Sequence, residues 1–348
     1  MNILIITQKV DKNDPILGFF HEWIRRLAPS FNKLSVICLE KGTYDLPENV
    51  KVYSLGKENG INKIKYISKF FGYIFGLARE YDTVFVHMNQ EYILLGGWFW
   101  RLTRKQIVLW RNHAYGSIFT RIAVLLSNKV LCTSKYSYTA RFGKTEIMPV
   151  GIDTQKFSIS NFKFSNKETK NKILFLGRMA PIKKPDLLVE ALKILKDKNT
   201  EFSCDFYGDA LPNDSKYFEE LKNKVEKYNL AERVKFYGAI PNYEIPDIYK
   251  DYNIFINLTP SGSFDKTILE AASCGSLVLL TNKSLLGDID ERLISNETPE
   301  DIARGIDLLL NINVEERSKI SESLQEYVLK NHSLDALMNK LQWSITRR

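Results

Sequence analysis

Short apolar runs alternate along the chain with longer stretches whose apolar positions recur every three or four residues. Residues 2–6, 34–39, 50–54, 83–86, 106–110 and 129–133 are the short runs of the first half, and they predict strands. Helix-length segments lie between them. Strands that read as continuous apolar runs are buried on both faces, as in a parallel sheet covered by crossover helices. After a polar segment at 158–171 the alternation resumes, with strands predicted at 172–176, 203–207, 234–238, 253–257 and 277–281. The pattern predicts an α/β chain of two doubly wound, Rossmann-like domains, 1–157 and 158–330, and a C-terminal helical segment, 331–348, placed to pack back on the first domain. Ligands of such sheets bind beyond the carboxyl ends of the strands, so a cleft between the domains is the expected site.

Length supports the division, because 348 residues exceed what one hydrophobic core usually organises. An apolar content of 44% with 26% charged residues excludes a disordered chain. No apolar run approaches the roughly 20 residues of a membrane span. Cys38, Cys132, Cys204 and Cys274 are far apart and accompanied by neither a CxxC spacing nor a signal peptide, which favours a reducing, cytoplasmic setting. His21, His87, His113 and His332 are equally scattered, so no metal is expected.

Charge adds a contrast between the halves. The formal charge is +8, but residues 1–150 carry 21 Lys/Arg against 11 Asp/Glu, and residues 151–348 carry 28 against 30. An anionic partner for the first half is implied. Residues 62–80 and 93–110 combine apolar positions at helical spacing with Lys63, Lys65, Lys69, Arg101, Arg104 and Lys105. Such a pattern serves a helix packed on a sheet and a helix lying on an anionic membrane surface alike. The basic residues interleave with apolar positions and form no recognition motif, so nucleic acid is not an expected partner.

Two segments carry candidate chemistry. In GRMAPIKKPD, residues 177–186, a glycine at the end of a predicted strand permits a tight turn into a helix, with Arg178 and Lys183 on the loop. A guanidinium fork and a mobile ammonium together suit a diphosphate. In SGSFDKTILEAASCG, residues 261–275, a small-residue loop opens a helix near Asp265 or Lys266. The amides of Phe264, Asp265, Lys266 and Thr267 would face a ligand there, and Glu270, one turn in, is placed to accept from ribose hydroxyls.

These segments, with YGD at 207–209, VKFYGAIPN at 234–242 and PVGIDTQKF at 149–157, resemble glycosyltransferase family 4, in order from about residue 1 to 330. The resemblance implies the GT-B fold, two Rossmann-like domains facing a cleft, and a metal-independent, configuration-retaining transfer from a nucleoside-diphosphate sugar, with no cofactor. It implies that Gly177, Arg178 and Lys183 hold the donor diphosphate, that Glu270 binds the ribose, and that the backbone at Ala239 and Ile240 meets the base. Gly208 belongs to the matching YGD turn, His113 matches a first-domain histidine near the donor sugar, and Gly18 matches a small-residue loop. Catalytic roles fall to Arg178, Lys183 and His113. The basic, aromatic-rich first half suits a glycan or lipid-linked acceptor, reached at the inner face of a membrane during polysaccharide or glycolipid assembly.

One departure stands out. Members of the family carry a second glutamate eight positions before the ribose-binding one, where this chain has Gly262. Asp265, Ser263 and Thr267 are the neighbours available to compensate. The departure keeps a rival open, a nucleotide-sugar-binding protein with little or no transferase activity. A nicotinamide-dependent enzyme is disfavoured, since no GxGxxG follows the first strand. His87, at a strand end, suits either a cleft wall or a structural contact; His21 is expected on a helix surface and His332 in a structural role.

Overall fold

The computed structural model describes residues 1–14, 17–157, 171–241, 244–262 and 264–347. Most of the polar segment after 157, and the candidate Ser263, lie outside the described residues. The chain divides into two compact units, Met1–Pro149 with Asp335–Arg348, and Val150–Leu334.

The first unit holds β1 (Asn2–Val10), β2 (Lys33–Lys41), β3 (Val50–Ser54), β4 (Thr83–His87), β5 (Gln106–Trp110), β6 (Lys129–Cys132) and β7 (Thr145–Ile147). They form one parallel sheet in the order β3-β2-β1-β4-β5-β6-β7. Between them run α1 (Gly18–Leu27), α2 (Lys63–Gly76), α3 (Glu91–Leu102) and α4 (Ile118–Leu126). Burial on both faces explains the unbroken apolar runs: every residue of β4 and β5 is buried. Leu4, Ile6, Val84, Val86, Ile107 and Leu109 meet Phe70, Ile74 and Trp100 on one face. The polar atoms taken into that core are paired in series, Trp100 Nε1 donating to the Tyr81 hydroxyl at 3.0 Å and that hydroxyl to the Ile74 carbonyl at 3.0 Å.

The sheet differs from the expectation in two places. β1 continues past its apolar run to Val10, because its polar end still pairs with β2, where Lys9 reaches Glu40 at 2.7 Å. β7 has no counterpart among the predicted strands. It is three residues long and partly exposed at the sheet edge, so neither length nor an apolar run announces it.

The second unit holds β8 (Lys172–Leu176), β9 (Ser203–Tyr207), β10 (Val234–Tyr237), β11 (Ile254–Asn257) and β12 (Leu277–Leu280), all parallel, in the order β10-β9-β8-β11-β12. Its helices are α5 (Pro185–Asp197), α6 (Ser215–Lys227), α7 (Ile245–Lys250), α8 (Lys266–Ser273), α9 (Pro299–Asn311) and α10 (Val314–His332). Leu188, Val189, Leu192 and Leu195 of α5 and Ile268, Leu269, Ala271 and Ala272 of α8 are buried in the core with Ile173, Leu174 and Phe175 of β8. The helical period of these residues is the one read from the sequence. A last helix, α11 (Leu334–Thr346), lies almost wholly in the segment grouped with the first unit. Within that unit Asp335 pairs with Arg26 at 2.5 Å and Ser344 donates to Glu146 at 2.5 Å.

Candidate functional site

Strand order reverses between β8 and β11 in the second unit, and a crevice opens where loops leave such neighbouring strands in opposite directions. Both sequence segments leave these strands: 177–184 follows β8, and 258–265 follows β11.

The first loop is held tightly against its neighbour. Gly177 donates its N–H to the Tyr207 carbonyl at 3.0 Å, and Gly208, with φ +133°, passes so close that an added Cβ would lie 2.1 Å from the Gly177 oxygen. Only glycine lets the two turns meet. Lys183 ends a short turn, and Pro185 then starts α5 with the fixed φ and missing N–H that a first helical residue tolerates. Arg178 is exposed; its carbonyl accepts the Ala180 N–H at 2.9 Å, and its guanidinium has no hydrogen-bond or ion-pair partner among the described residues.

The second loop supplies a counter-charge. Lys183 forms an ion pair with Asp265, and its Nζ also lies 3.4 Å from Thr259 Oγ1. Asp265 Oδ2 accepts from Asn257 Nδ2 at 3.0 Å and from Thr259 Oγ1 at 3.3 Å, while Oδ1 accepts the Thr267 N–H at 3.4 Å as the N-cap of α8. Burial pushes the Asp265 carboxyl up, but the charge and hydrogen bond of Lys183, with the bonds from Asn257 and Thr267, outweigh it and hold the group below its ordinary value.

Glu270 is half-buried one turn into α8, and no hydrogen-bond partner for its carboxylate occurs among the described residues. Burial pushes its pKa up, against the opposing charge of Lys266, and the Asp265 charge adds to the rise; burial pushes Lys266 down. A carboxyl raised in the folded state contributes stability that is present below its ordinary 4.5 and lost as pH rises through the folded value. Glu270→Gln is therefore expected to lose less thermal stability than the parent between about pH 5 and about pH 8, measured by calorimetric melting. Equal losses in the two proteins would overturn this.

Two expectations need correction. The amides at the start of α8 are not all open to a ligand, because the Asp265 carboxylate takes that of Thr267. Likewise the Ala239 N–H donates to Asp209 Oδ2 at 3.0 Å, which leaves the carbonyl of Ala239 and the backbone of Ile240 as the groups available to a base. Phe264 packs partly against the core, its ring 5.8 Å from that of His332. Gly262 has φ +111°, a conformation that side-chain-bearing residues rarely adopt. Asn257 and Thr259 escaped the sequence reading; their signal was a polar residue at each end of the turn that closes an otherwise apolar strand.

The first unit carries its candidates separately. Gly18 opens α1 and donates its N–H to the Asp14 carbonyl at 3.0 Å. His113 is exposed in the loop after β5, with Nδ1 3.0 Å from both the N–H and the carbonyl oxygen of Tyr115. It lines a cavity of about 280 Å³ together with Gln8, Leu17, His87, Gln90 and Arg111. His87 therefore meets both descriptions left open for it, since its ring also stacks on Phe20 at 3.9 Å and its Nδ1 lies 3.3 Å from Thr7 Oγ1. His21 is not on a helix surface. It is 7% exposed and its Nε2 accepts the Asp45 N–H at 3.1 Å, because a polar neighbour across the α1 face satisfies a ring the apolar pattern would have turned outward. His332 is structural: Nδ1 accepts the Val150 N–H at 3.2 Å, and burial pushes its pKa down to about 4.

Residues 157–327 match the family model described as glycosyl transferases group 1. Among curated relatives, a phosphatidylinositol N-acetylglucosaminyltransferase component from Arabidopsis thaliana is 29% identical over 52% of this chain and 40% of its own. The O-antigen biosynthesis glycosyltransferase WbnH of Escherichia coli is 22% identical over 84% of this chain and 80% of its own. The chain spans less than half the length of the first relatives it matches, 40%, 31% and 42%. Among solved structures, Anabaena Alr3699/HepE in complex with UDP superposes with a TM-score of 0.79 at 18% identity, over 99% of this chain and 100% of that one. The same protein in complex with UDP-glucose gives a TM-score of 0.77 at 18% identity, over 99% of each chain. Through residues 157–327 the chain belongs to the glycosyl transferases group 1 family, and its two parallel sheets have the GT-B fold.

Proposed function

We propose that the protein is a configuration-retaining glycosyltransferase that moves a sugar from a nucleoside-diphosphate sugar to a hydroxyl of a glycan or lipid-linked acceptor. The observation that carries this reading is the furnishing of one switch point: Arg178 and Lys183 on the loop after β8, and Glu270, without a hydrogen-bond partner among the described residues, one turn into α8. In the proposed reaction the bond from the anomeric carbon to the donor phosphate breaks, the acceptor oxygen bonds to that carbon on the same face, and the acceptor proton passes to the departing phosphate. Negative charge grows on the diphosphate, and fixed cations aimed at it lower the barrier. An ammonium has three N–H donors. Asp265 and Thr259 engage two of those of Lys183 and leave the third for the crevice. Glu270 would accept from the ribose, and His113 would position the sugar; the reading assigns no metal and no cofactor.

The uridine nucleotides held by the Anabaena protein make UDP the first donor nucleotide to try. Calorimetric titration with UDP, GDP, ADP and CMP is expected to give selective binding of one diphosphate that is lost in Arg178→Ala. Absence of binding by all four would overturn the donor site, and binding without sugar transfer or donor hydrolysis would favour the rival binding protein.

We also propose that the first unit works against an anionic membrane surface, at the cytoplasmic face. Phe70 and Ile74 of α2 are buried, but Ile64, Ile67 and Phe75 are exposed, as are Trp98 and Leu102 of α3 and Ile118, Phe119, Ile122 and Leu125 of α4. No described helix is long and apolar enough to cross a membrane. The exposed apolar residues sit among Lys63, Lys65, Arg101, Arg104 and Arg121, the combination that favours an interfacial position. Cosedimentation with phosphatidylglycerol vesicles at low salt is expected, and no cosedimentation would leave a soluble acceptor as the better reading.

A further inference from the structure

Tyr138 begins the turn that follows β6, and it holds the loop that carries His113. Its N–H donates to the His113 carbonyl at 2.8 Å, and its ring meets Gly116 so closely that an added Cβ there would lie 2.2 Å from Cδ1. The residue is 8% exposed, yet two exposed cations meet on it. Arg121 of α4 donates from Nε to the Tyr138 hydroxyl at 3.1 Å, and the Arg141 guanidinium lies over the ring, 4.1 Å from its centre. Neither guanidinium pairs with a carboxylate among the described residues, and that of Arg141 makes no hydrogen bond there. The Tyr138 hydroxyl accepts from Arg121, and its own proton has no acceptor among the described residues.

The cluster thus offers donors only: the two terminal nitrogens of Arg121, the Arg141 fork and the Tyr138 O–H. Like charges gathered without a counter-charge repel, and an anion with several oxygens relieves that repulsion. Phosphate and diphosphate fit such a set, because a guanidinium fork engages two of their oxygens at once. The surroundings of Arg121 narrow the choice. Ile118 and Leu125, three positions before it and four after, share its face of α4 and are 62% and 73% exposed, with Ile122 beside them at 40%. A free phosphate has no use for that apolar surface, whereas a phosphate carried on a hydrocarbon tail uses both parts.

We propose that Arg121, Arg141 and Tyr138 bind the phosphate or diphosphate of a lipid carrier whose hydrocarbon chain lies along Ile118, Ile122 and Leu125, and whose sugar is the acceptor. The inference rests on the glycosyl-transfer reading and narrows its acceptor to the lipid-linked form. It is distinct from attraction to an anionic membrane, for which scattered cations suffice: here two guanidiniums and one hydroxyl read a particular headgroup. The hydrogen bond from Tyr138 to the His113 carbonyl then joins the headgroup site to the loop that would position the sugar.

The test is calorimetric titration of the full chain with geranyl diphosphate, geraniol and inorganic diphosphate, both with saturating UDP and in Arg178→Ala, so that the donor site does not take up the probe. Geranyl diphosphate is expected to bind about tenfold or more tightly than either of its parts, as charged hydrogen bonds added to apolar contact imply. Joint replacement Arg121→Gln and Arg141→Gln should bring it to the level of geraniol, and Ile122→Ser with Leu125→Ser to the level of inorganic diphosphate. Tyr138→Phe keeps the ring against Gly116 and should weaken geranyl diphosphate without weakening geraniol. Melting of the double arginine variant at or above the parent temperature is the second readout, since merely structural arginines would lower it. Equal affinity for geranyl diphosphate and inorganic diphosphate would reveal an anion site without a lipid, and equal affinity for geranyl diphosphate and geraniol an apolar surface alone. Either result overturns the inference, as does a preference unchanged in the double arginine variant. If UDP binds and geranyl diphosphate shows no preference, this inference alone fails; if no nucleotide binds, the transferase reading fails and the sugar on the carrier falls with it.

Discussion

Arg178→Ala and Lys183→Ala are each expected to slow sugar transfer roughly 100- to 1000-fold, the usual consequence of removing one donor aimed at charge that develops in the transition state. The two differ in what they leave behind. The Arg178 side chain is exposed and engages nothing among the described residues, so its loss should leave the melting temperature unchanged and act on turnover alone. Lys183 is the partner of Asp265, and its side chain is 20% exposed against 14% for the aspartate. Its removal leaves a carboxylate with three polar neighbours but no opposite charge, so some stability is lost with the rate. Steady-state assays with the donor identified by titration check the first effect, and melting checks the second. Near-normal turnover in both purified variants would remove the diphosphate site from this loop.

Asp265→Ala is expected to cost about 2–3 kcal/mol in denaturant unfolding: about 1 for the lost N-cap of α8 and the rest for a part-buried Lys183 left without its partner. Asp265→Asn separates the two contributions. Asparagine caps a helix as well as aspartate does, so about 1 kcal/mol should return, with the charge effect remaining. The carboxyl is held below its ordinary value of 3.8, and the stability tied to its charge is therefore present above that pH and lost as pH falls through the folded value. The gap between parent and Asp265→Asn should close in acid. A gap that stays constant with pH would mean that Asp265 acts through shape and not through charge.

The Asp265 pair also bears on the missing glutamate. The sequence puts Asp265 three positions after Gly262, near enough to suggest a replacement. In the structure that carboxylate is turned to Lys183 and to the cap of α8, and it takes up donors that a ligand would otherwise meet. Gly262, at φ +111°, is not a position at which a glutamate side chain would be accommodated without strain. Substitution of a glutamate at 262 alone is therefore expected to strain the loop.

Much of the fold was legible because parallel strands buried on both faces leave the plainest mark a sequence can carry. Ile3–Ile6, Val84–Val86 and Leu277–Leu280 are apolar at every position, and the helices between them keep a three-and-four period that only one-sided burial requires. Glycine at 177 marked one turn for a reason of backbone geometry, whereas the close approach at Gly208 and the helix start at Pro185 came from the structure. Arg178 and Lys183 on a loop after a strand, and Glu270 one turn into a helix, were legible as candidates because those residue types can serve a diphosphate and a ribose. Pairings between distant residues left no such mark. The sequence puts 82 positions between Lys183 and Asp265 and 30 between Asp209 and Ala239, and no local period connects them. Likewise the burial of His21 depends on which groups from other elements arrive beside it. Local pattern, then, determined the elements, their order and the cationic loop, because propensity and burial act along the chain; partners, caps and unmade bonds were decided by tertiary structure, because hydrogen bonds and charge act through space.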